Sequence, residues 1–320
     1  MTRSPVSRLA VRAGSLEFRN PVLLAAGTAG YGRELADVVA LDRIGGLVTK
    51  AISAEPRAGA PAPRVAEFDG GMINAVGLAN PGLDVVCRDH LPWMASSLPG
   101  TRKVANVVGS RLEDFATVVA GIEEAVAAGR PAAGAVDAFE LNVSCPNVRA
   151  GGTEFGADIR TLTQLIEGVR RHTERTLFVK LSPTLGDIAT TARAAVDAGA
   201  GGISVVNTLP GLVIDVESRR PSLGFGTGGV SGGGLLPVGV LATWKVSRAV
   251  SVPIIGIGGV SRGNHVVQYL LAGATLVGVG TAAMRDPRAP ERILDELDRW
   301  CERQRVESLQ SLVGALQWPQ

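Results

Sequence analysis

The sequence is poor in the residues that build metal clusters and disulfide frameworks. Its 320 residues include only three cysteines, Cys87, Cys145 and Cys301, which lie far apart and form no C-x-x-C pair. This spacing argues against a zinc or iron–sulfur site within the chain and against a fold held by disulfides. Sparse, widely separated cysteines suit a reducing compartment. We therefore expect a cytoplasmic protein with no bound metal.

The chain also lacks a strong charge bias and long apolar runs. Its formal net charge is +2, and no block of about five or more like charges occurs. A nucleic-acid-binding surface is therefore not expected. The first 20 residues contain no continuous apolar stretch of the kind that signal peptides carry, and no run is long enough to cross a bilayer. We expect neither a nucleic-acid partner nor membrane association.

Short apolar runs, rich in β-branched residues, are abundant and alternate with amphipathic segments. The runs lie at 21–27, 45–52, 103–109, 138–145, 177–183, 202–208, 253–259 and 276–282. Helix-like segments lie at 33–44, 112–129, 158–173, 187–200, 235–250, 263–274 and 289–305. Near-continuous apolar strands that alternate with helices indicate a parallel sheet buried on both faces. Eight such units without a linker favour an α/β fold of the (β/α)8 TIM-barrel type, forming a single domain over 1–320, above an open doubly wound sheet.

Two connections are too long for simple crossovers between strand and helix. One follows the second strand, at about 54–100, and the other follows the sixth strand, at about 209–234. Long insertions rich in glycine and proline are usually lids or binding loops. Residues 7–20 alternate around Ala13-Gly14, which predicts a short N-terminal hairpin at the bottom of the barrel.

Barrel enzymes carry their chemistry at the C-terminal ends of the strands. A single polar residue at a strand end is usually a turn residue, but here all eight ends carry polar groups or small residues. They are Ala26-Gly27, Lys50, Asn106, Asn142 to Cys145, Lys180, Asn207-Thr208, Gly258-Gly259 and Gly280-Thr281. We interpret the set as one site.

The last two strands end in Gly-Gly and Gly-Thr, each followed by a helix. Backbone N–H groups and a helix N-terminus at this position form the usual phosphate cradle of such barrels. The phosphate could belong to a substrate or to FMN.

Lys50 and Lys180 face the same mouth and allow two interpretations. One of them could form a Schiff base, as in an aldolase, or both could be cations around an electron-rich ring. Four asparagines favour the ring, because amide groups offer donor–acceptor pairs that match the edges of a flavin or a pyrimidine. They are Asn74, Asn142, Asn147 and Asn207.

Cys145 ends the fourth strand and is followed by Pro146, which fixes the start of the next loop. As a nucleophile it would usually have a histidine partner, and His90, His172 and His265 fall in other helical or loop contexts. A metal site would need companion ligands. A thiolate that removes a carbon-bound proton while a flavin takes hydride is chemically sensible.

The chain resembles class 1 dihydroorotate dehydrogenases, and most closely the class 1B catalytic subunit. The resemblance covers essentially the whole chain in family order. The matching segments are NPVLLAAGTAGYG, TKAISAEPRAGAPAPRVAE, GGMINAVGLANPGL, ELNVSCPNVRAGGTEFG, VKLSPTLGDIA, VVNTLPG, GTGGVSGG, IIGIGGVSRGNHVVQYLLAGA, VGVGTA and ESLQSLVGAL.

This resemblance implies an FMN-dependent enzyme that oxidises dihydroorotate to orotate in pyrimidine (UMP) biosynthesis. Cys145 matches the base that takes the C5 proton, while FMN accepts hydride from C6. Lys50 and Lys180 match the lysines beside the isoalloxazine ring, and 146–155 match a mobile lid. Positions that match substrate contacts are Lys50, Asn74, Ala75, Val76, Gly77, Leu78, Asn142, Asn147, Asn207 and Thr208. Positions that match FMN contacts are Ala26, Gly27, Lys50, Ala51, Asn106, Asn142, Lys180, Val206, Gly232, Gly258, Gly259, Gly280 and Thr281.

The electron acceptor depends on the class. Class 1B enzymes pass electrons to NAD through a partner subunit with FAD and a [2Fe-2S] cluster, which would make a heterotetramer, whereas class 1A enzymes are homodimers that reduce fumarate. A fumarate-linked enzyme and a related dihydropyrimidine dehydrogenase are the alternatives. Two departures from relatives are SGGG at 231–234, where S-G-P-A is common, and Ala26, where serine is common.

Overall fold

The computed structural model describes residues 7–129, 131–144 and 155–319. In chain order its strands are β1 (Val11–Ala13), β2 (Leu16–Phe18), β3 (Val22–Leu24), β4 (Gly46–Val48), β5 (Val65–Phe68), β6 (Gly71–Asn74), β7 (Arg102–Val107), β8 (Ala138–Asn142), β9 (Thr176–Leu181), β10 (Gly202–Val205), β11 (Leu209–Gly211), β12 (Ile214–Asp215), β13 (Arg220–Pro221), β14 (Gly228–Ser231), β15 (Ile254–Ile257) and β16 (Leu276–Val279). The α-helices are α1 (Leu83–Val85), α2 (Leu91–Ser97), α3 (Leu112–Ala127), α4 (Ile159–Arg170), α5 (Ile188–Asp197), α6 (Leu236–Ser247), α7 (Gly263–Leu271), α8 (Thr281–Arg285) and α9 (Ala289–Gln304).

Eight parallel strands close into a barrel in the order β3-β4-β7-β8-β9-β10-β15-β16, and β16 pairs back with β3. Most of their residues are buried, as in β10 and β15, where all four are. This pattern is expected of strands enclosed on one side by the barrel interior and on the other by helices. The predicted (β/α)8 TIM barrel is confirmed.

The outer helices bury one apolar stripe each against the barrel. In α4 the buried residues are Leu162, Leu165, Ile166 and Val169, spaced three and four apart as one helix face requires. Asp158 starts this helix by accepting a hydrogen bond from the Thr161 backbone N–H at 3.0 Å. The apolar residues whose spacing predicted this helix are thus the residues that pack against the barrel.

The two long insertions meet above the barrel in a four-stranded sheet of order β11-β14-β6-β5. Strand β6, from the first insertion, pairs antiparallel with β14, from the second, with Asn74 opposite Gly229. The first insertion also forms α1, a π-helical turn at Val86–His90, and α2. Both insertions are confirmed, but the helical stretch within the first was not predicted.

The helix predicted over 33–44 is wrong. This stretch forms only two short 3-10 turns, Arg33–Leu35 and Leu41–Arg43. The backbone N–H of Ala40 donates to Glu291 Oε1 of α9 at 2.9 Å rather than to a carbonyl of its own segment. A contact distant in sequence therefore replaces the helical hydrogen bond that local propensity favoured.

The predicted N-terminal hairpin is present as β1 and β2, which pair antiparallel. Ala13 and Phe18 are buried, and Arg102, at the start of β7, donates to the backbone carbonyl of Glu17 at 2.9 Å. The hairpin thus lies at the N-terminal end of the barrel, as predicted. Among the described residues, no helix is both long and apolar enough to cross a membrane.

Gly256 of β15 has no room for a side chain, because a Cβ there would overlap the ring of Tyr269. We expect Gly256→Ala to lower the free energy of unfolding by about 1–3 kcal/mol through overpacking. Gly168 of α4 is the matched control, since nothing lies within 4 Å of its added Cβ, and Gly168→Ala should be neutral or stabilising. Urea unfolding midpoints test the pair, and equal midpoints would contradict this packing.

Candidate active site

A cavity of about 830 Å³ opens at the C-terminal end of the barrel. Its volume lies in the upper part of the range of ligand pockets, about 300–1,000 Å³. Every barrel strand contributes residues within or just beyond its C-terminal end. The contributions are Ala25 to Thr28, Lys50 and Ala51, Asn106, Asn142, Lys180, Val206 to Thr208, Ile257 to Ser261, and Gly280 to Ala282.

The sheet formed by the two insertions supplies another wall of this cavity. The first insertion contributes Met72, Asn74 and 76–79, and the second contributes Phe225, 227–229 and 231–233. Asn74 Nδ2 donates to the backbone carbonyl of Gly229 at 3.3 Å, which ties the two insertions together at the cavity. Both insertions therefore bear on the site, as their length suggested.

The predicted site residues converge on this one cavity. Among those that the structure describes, all line it except Ala75, which is buried beside the lining residues Asn74 and Val76. Cys145, Asn147 and 146–154 lie outside the described residues, so their placement stays a prediction. The roles of individual residues also stay predictions, although their common location is observed.

A row of buried polar side chains from three neighbouring strands lies next to the cavity. Asn106 Nδ2 donates to Glu140 Oε1 at 2.7 Å, and Lys180 Nζ lies 3.9 Å from the same oxygen. Glu140 is fully buried, while Asn106 and Lys180 are 1% and 6% exposed. Within the described residues, Asn106 Oδ1 and Glu140 Oε2 have no hydrogen-bond partner. These contacts fix a carboxylate, an amide and an ammonium group in a dry environment.

A second network of hydrogen-bonded side chains joins the ends of β8 and β10. Asn207 Nδ2 donates to Ser144 Oγ at 2.9 Å, and Ser144 Oγ donates to Asn142 Oδ1 at 3.2 Å. Asn207 Oδ1 accepts the backbone N–H of Thr208 at 2.8 Å. Ser144 immediately precedes Cys145 in the sequence. This hydrogen-bond network therefore holds the residue next to the predicted base.

Lys50 differs from Lys180 in its surroundings. It is partly exposed in the cavity, and no ion pair links it to any residue of the described ranges. Its backbone is anchored on both sides, since its N–H donates to Gly30 O at 2.7 Å and its carbonyl accepts Thr49 Oγ1 at 2.9 Å. The strand end is thus held in place while the ammonium group stays available to a ligand.

Glycines line the wall formed by β15, β16 and the segment before α6. A Cβ at Gly259 would collide with Leu236, and one at Gly232, whose φ is +113°, would lie 2.6 Å from Gly71 Cα. Thr281 Oγ1 donates to Ser231 Oγ at 2.8 Å across this wall. The first N–H groups of a helix have no partner within it, and α8 begins here at Thr281. The wall is therefore suited to an anion.

Neither partly buried histidine lines the cavity: the ring of His90 packs on Tyr31 at 4.1 Å, and His265 Nδ1 lies 3.3 Å from Ser261 N. Across the described ranges, no group of three or more histidine, cysteine or acidic side chains could hold a metal ion. The geometry thus offers amides, two lysines and a glycine wall.

A family model described as dihydroorotate dehydrogenase matches residues 8–300 of this chain. The chain belongs to this family. Among similar proteins are those of Pelobacter propionicus at 43% identity, Trichlorobacter lovleyi at 42% and Geobacter sp. (strain M21) at 40%. Each match spans 309 residues, 97% of this chain and 98% of the relative. All three relatives are named dihydroorotate dehydrogenase B (NAD(+)), catalytic subunit.

A solved structure of the dihydroorotate dehydrogenase of Eimeria tenella, in complex with ferulenol, has the same fold. The TM-score is 0.79, and the match covers 96% of this chain and 88% of that one. At 24% identity the likeness concerns the fold alone. The family resemblance inferred from the motifs is confirmed by the family model and by the bacterial relatives.

Among the residues in or next to the cavity of this dihydroorotate dehydrogenase family member that were not predicted are Glu140, Ser231 and Arg285. Arg285 lines the cavity and donates to Glu67 Oε1 at 3.0 Å. Glu140 could have been noticed, because it is a charged residue within an apolar strand. Ser231 and Arg285 carry no comparable signal, since serine is ordinary at strand ends and arginine on short helices.

Removing Lys180 would leave the buried carboxylate of Glu140 without its cation. We expect Lys180→Met to lower the free energy of unfolding by about 3 kcal/mol, the scale found when one partner of a buried pair is removed. Lys50→Met, which breaks no ion pair with a described residue, should cost less than about 1 kcal/mol. Urea unfolding of both variants without added ligand measures the difference, and equal losses would count against the buried pair.

Proposed function

We propose that this chain oxidises dihydroorotate to orotate with bound FMN, as the catalytic subunit of an NAD-linked dihydroorotate dehydrogenase in pyrimidine biosynthesis. The whole chain would act as one FMN-binding barrel domain in the cytoplasm. The observation that carries this proposal is the convergence of two lysines, an asparagine set and a glycine wall on one cavity. Membership of the dihydroorotate dehydrogenase family supports the substrate.

The volume of the cavity and the chemistry of its lining support FMN as the ligand. Gly232, Gly258, Gly259 and Gly280, with Thr281, would receive the phosphate at the wall where side chains are excluded. Ala26, Gly27, Ala51 and Val206 would contact the cofactor along the cavity. Asn106 Oδ1, buried without a partner in the described residues, suits an N–H of a flavin ring, and Lys180 would lie beside the ring as a cation. Bound FMN would supply the acceptor for the hydride that leaves C6 of the substrate.

The substrate would be held by groups that carry both donors and acceptors. The amides of Asn74, Asn142 and Asn207, and Thr208, line the cavity and match the carboxylate and ring amides of dihydroorotate. Lys50 would add a positive charge near the carboxylate. Asn147 and the backbone of 75–78 would complete this ring.

Cys145 would take the proton from C5 as a general base. Asn207 Nδ2 donates to the hydroxyl of Ser144 at 2.9 Å and to its backbone carbonyl at 3.3 Å, which would orient the adjacent cysteine. A cation close to the thiol would favour the thiolate that this role requires. The segment 146–155 would close over the substrate and exclude water.

Cys145→Ser should bind FMN but slow flavin reduction by dihydroorotate about 100-fold or more at neutral pH, because a hydroxyl is a much weaker base than a thiolate. Anaerobic stopped-flow absorbance of the flavin measures this rate. Cys87→Ser is the matched control: burial raises the pKa of the Cys87 thiol to about 11, and Cys87 does not line the cavity. Unchanged reduction in Cys145→Ser would reject the base.

The relatives are named NAD(+)-linked catalytic subunits, which supports a separate partner for the electrons. We place FAD and a [2Fe-2S] cluster on that partner subunit, because this chain's cysteines form no cluster-binding motif. The assembly would be a homodimer of this chain, joined by the partner into a heterotetramer.

Reduction of NAD by dihydroorotate should therefore require the added partner subunit. With FMN-loaded chain alone, NADH formation at 340 nm should be negligible, and it should rise when an FAD- and iron–sulfur-containing subunit is added. A parallel assay with fumarate provides the comparison. Rapid NAD reduction by the chain alone, or a preference for fumarate, would contradict the NAD-linked assignment and favour the fumarate-linked class.

A further inference from the structure

Glu140 is a buried carboxylate that none of the roles above requires. It is 0% exposed, and its Oε1 accepts from Asn106 and lies 3.9 Å from Lys180 Nζ. Both partners line the cavity, whereas Glu140 does not. We infer that Glu140 is a positioning residue that orients the Asn106 amide and places the Lys180 ammonium for the flavin ring. This inference rests on the proposed binding of FMN.

The contact with Glu140 determines which end of the Asn106 amide faces the ligand. A carboxylate only accepts hydrogen bonds, so Asn106 must turn its Nδ2 toward Glu140 and its Oδ1 away. That Oδ1 is buried and meets no donor from the described residues. Asn106 therefore presents a fixed acceptor to a ligand N–H, and the ring imide of an oxidised flavin carries such a group.

The same carboxylate acts on the charge of Lys180. Lys180 pairs with Asn142 in the register between β8 and β9 and with Ser204 in that between β9 and β10, so its backbone is fixed on both sides. The Glu140 carboxylate holds the ammonium at the barrel end and partly balances its charge in a dry environment, where charges act strongly on each other. Glu140 thereby tunes how strongly the site favours negative charge on a reduced flavin.

Asp137, a partly buried carboxylate just before β8, provides a comparison that separates this role from a structural one. Asp137 Oδ1 accepts from Arg102 Nη1 at 2.7 Å, and Oδ2 lies 3.9 Å from Lys103 Nζ. Arg102 and Lys103 begin β7, so this cluster lies at the opposite end of the barrel, and none of its members lines the cavity. Removing the charge of Asp137 perturbs the fold without touching the flavin site.

The experiment compares Glu140→Gln with Asp137→Asn in FMN-loaded protein. Two quantities are measured: the FMN dissociation constant, from flavin fluorescence, and the midpoint potential of the bound flavin. We expect Glu140→Gln to weaken FMN binding about tenfold or more, on the scale of a hydrogen bond to a charged group. Its midpoint potential should become more positive, because a negative charge beside the reduced ring is removed. Asp137→Asn should leave both quantities at the wild-type values.

Wild-type FMN affinity and potential in Glu140→Gln would overturn the positioning role. If Glu140→Gln does not fold, Glu140→Asp takes its place, because it keeps the charge but withdraws it from Asn106 by one methylene. Its FMN affinity should fall, while its midpoint potential should shift less than expected for loss of the charge. Wild-type FMN affinity in this variant would again overturn the positioning role. Failure of the wild-type chain to bind FMN would instead reject the proposed function itself.

Discussion

Closure of the barrel between β16 and β3 is the constraint on which the site depends. Val277 pairs with Val22 and Val279 with Leu24, which brings the last barrel strand beside the first barrel strand although about 250 residues separate them. Because all eight strands are parallel, closure gathers their C-terminal ends on one rim. Lysines, asparagines and glycines distant in sequence then surround one cavity.

A barrel interior is an unfavourable place for ionised groups, and that cost explains the arrangement near the rim. Burying an unpaired charge is expensive, and a buried pair is tolerated only when hydrogen bonds satisfy it. Glu140 meets this condition only in part, through the hydrogen bond from Asn106 and the ion pair with Lys180, because one oxygen of Glu140 and one of Asn106 have no partner in the described residues. A site that retains such unsatisfied atoms is organised for a ligand rather than for maximal stability.

In the insertions, the local sequence pattern indicates a binding loop, whereas tertiary contacts determine how the loops pair. The glycine- and proline-rich stretches at 54–100 and 209–234 are typical of binding loops. Their pairing through Asn74 and Gly229 joins segments about 155 residues apart. No local pattern encodes that register. The failed helix at 33–44 has the same cause, since Glu291 of α9 takes the N–H of Ala40.

The sequence by itself determined the order of the eight barrel strands and of most outer helices, the barrel class, and the polar identity of the strand ends, because periodicity and strand-end residues are local properties. It therefore also indicated Lys50, Lys180 and the asparagines as one site. Only the tertiary structure decided that Glu140 lies between Asn106 and Lys180 and that Asn207 holds Ser144. Those contacts depend on the register of neighbouring strands, which is set by packing over the whole barrel and not by any single segment.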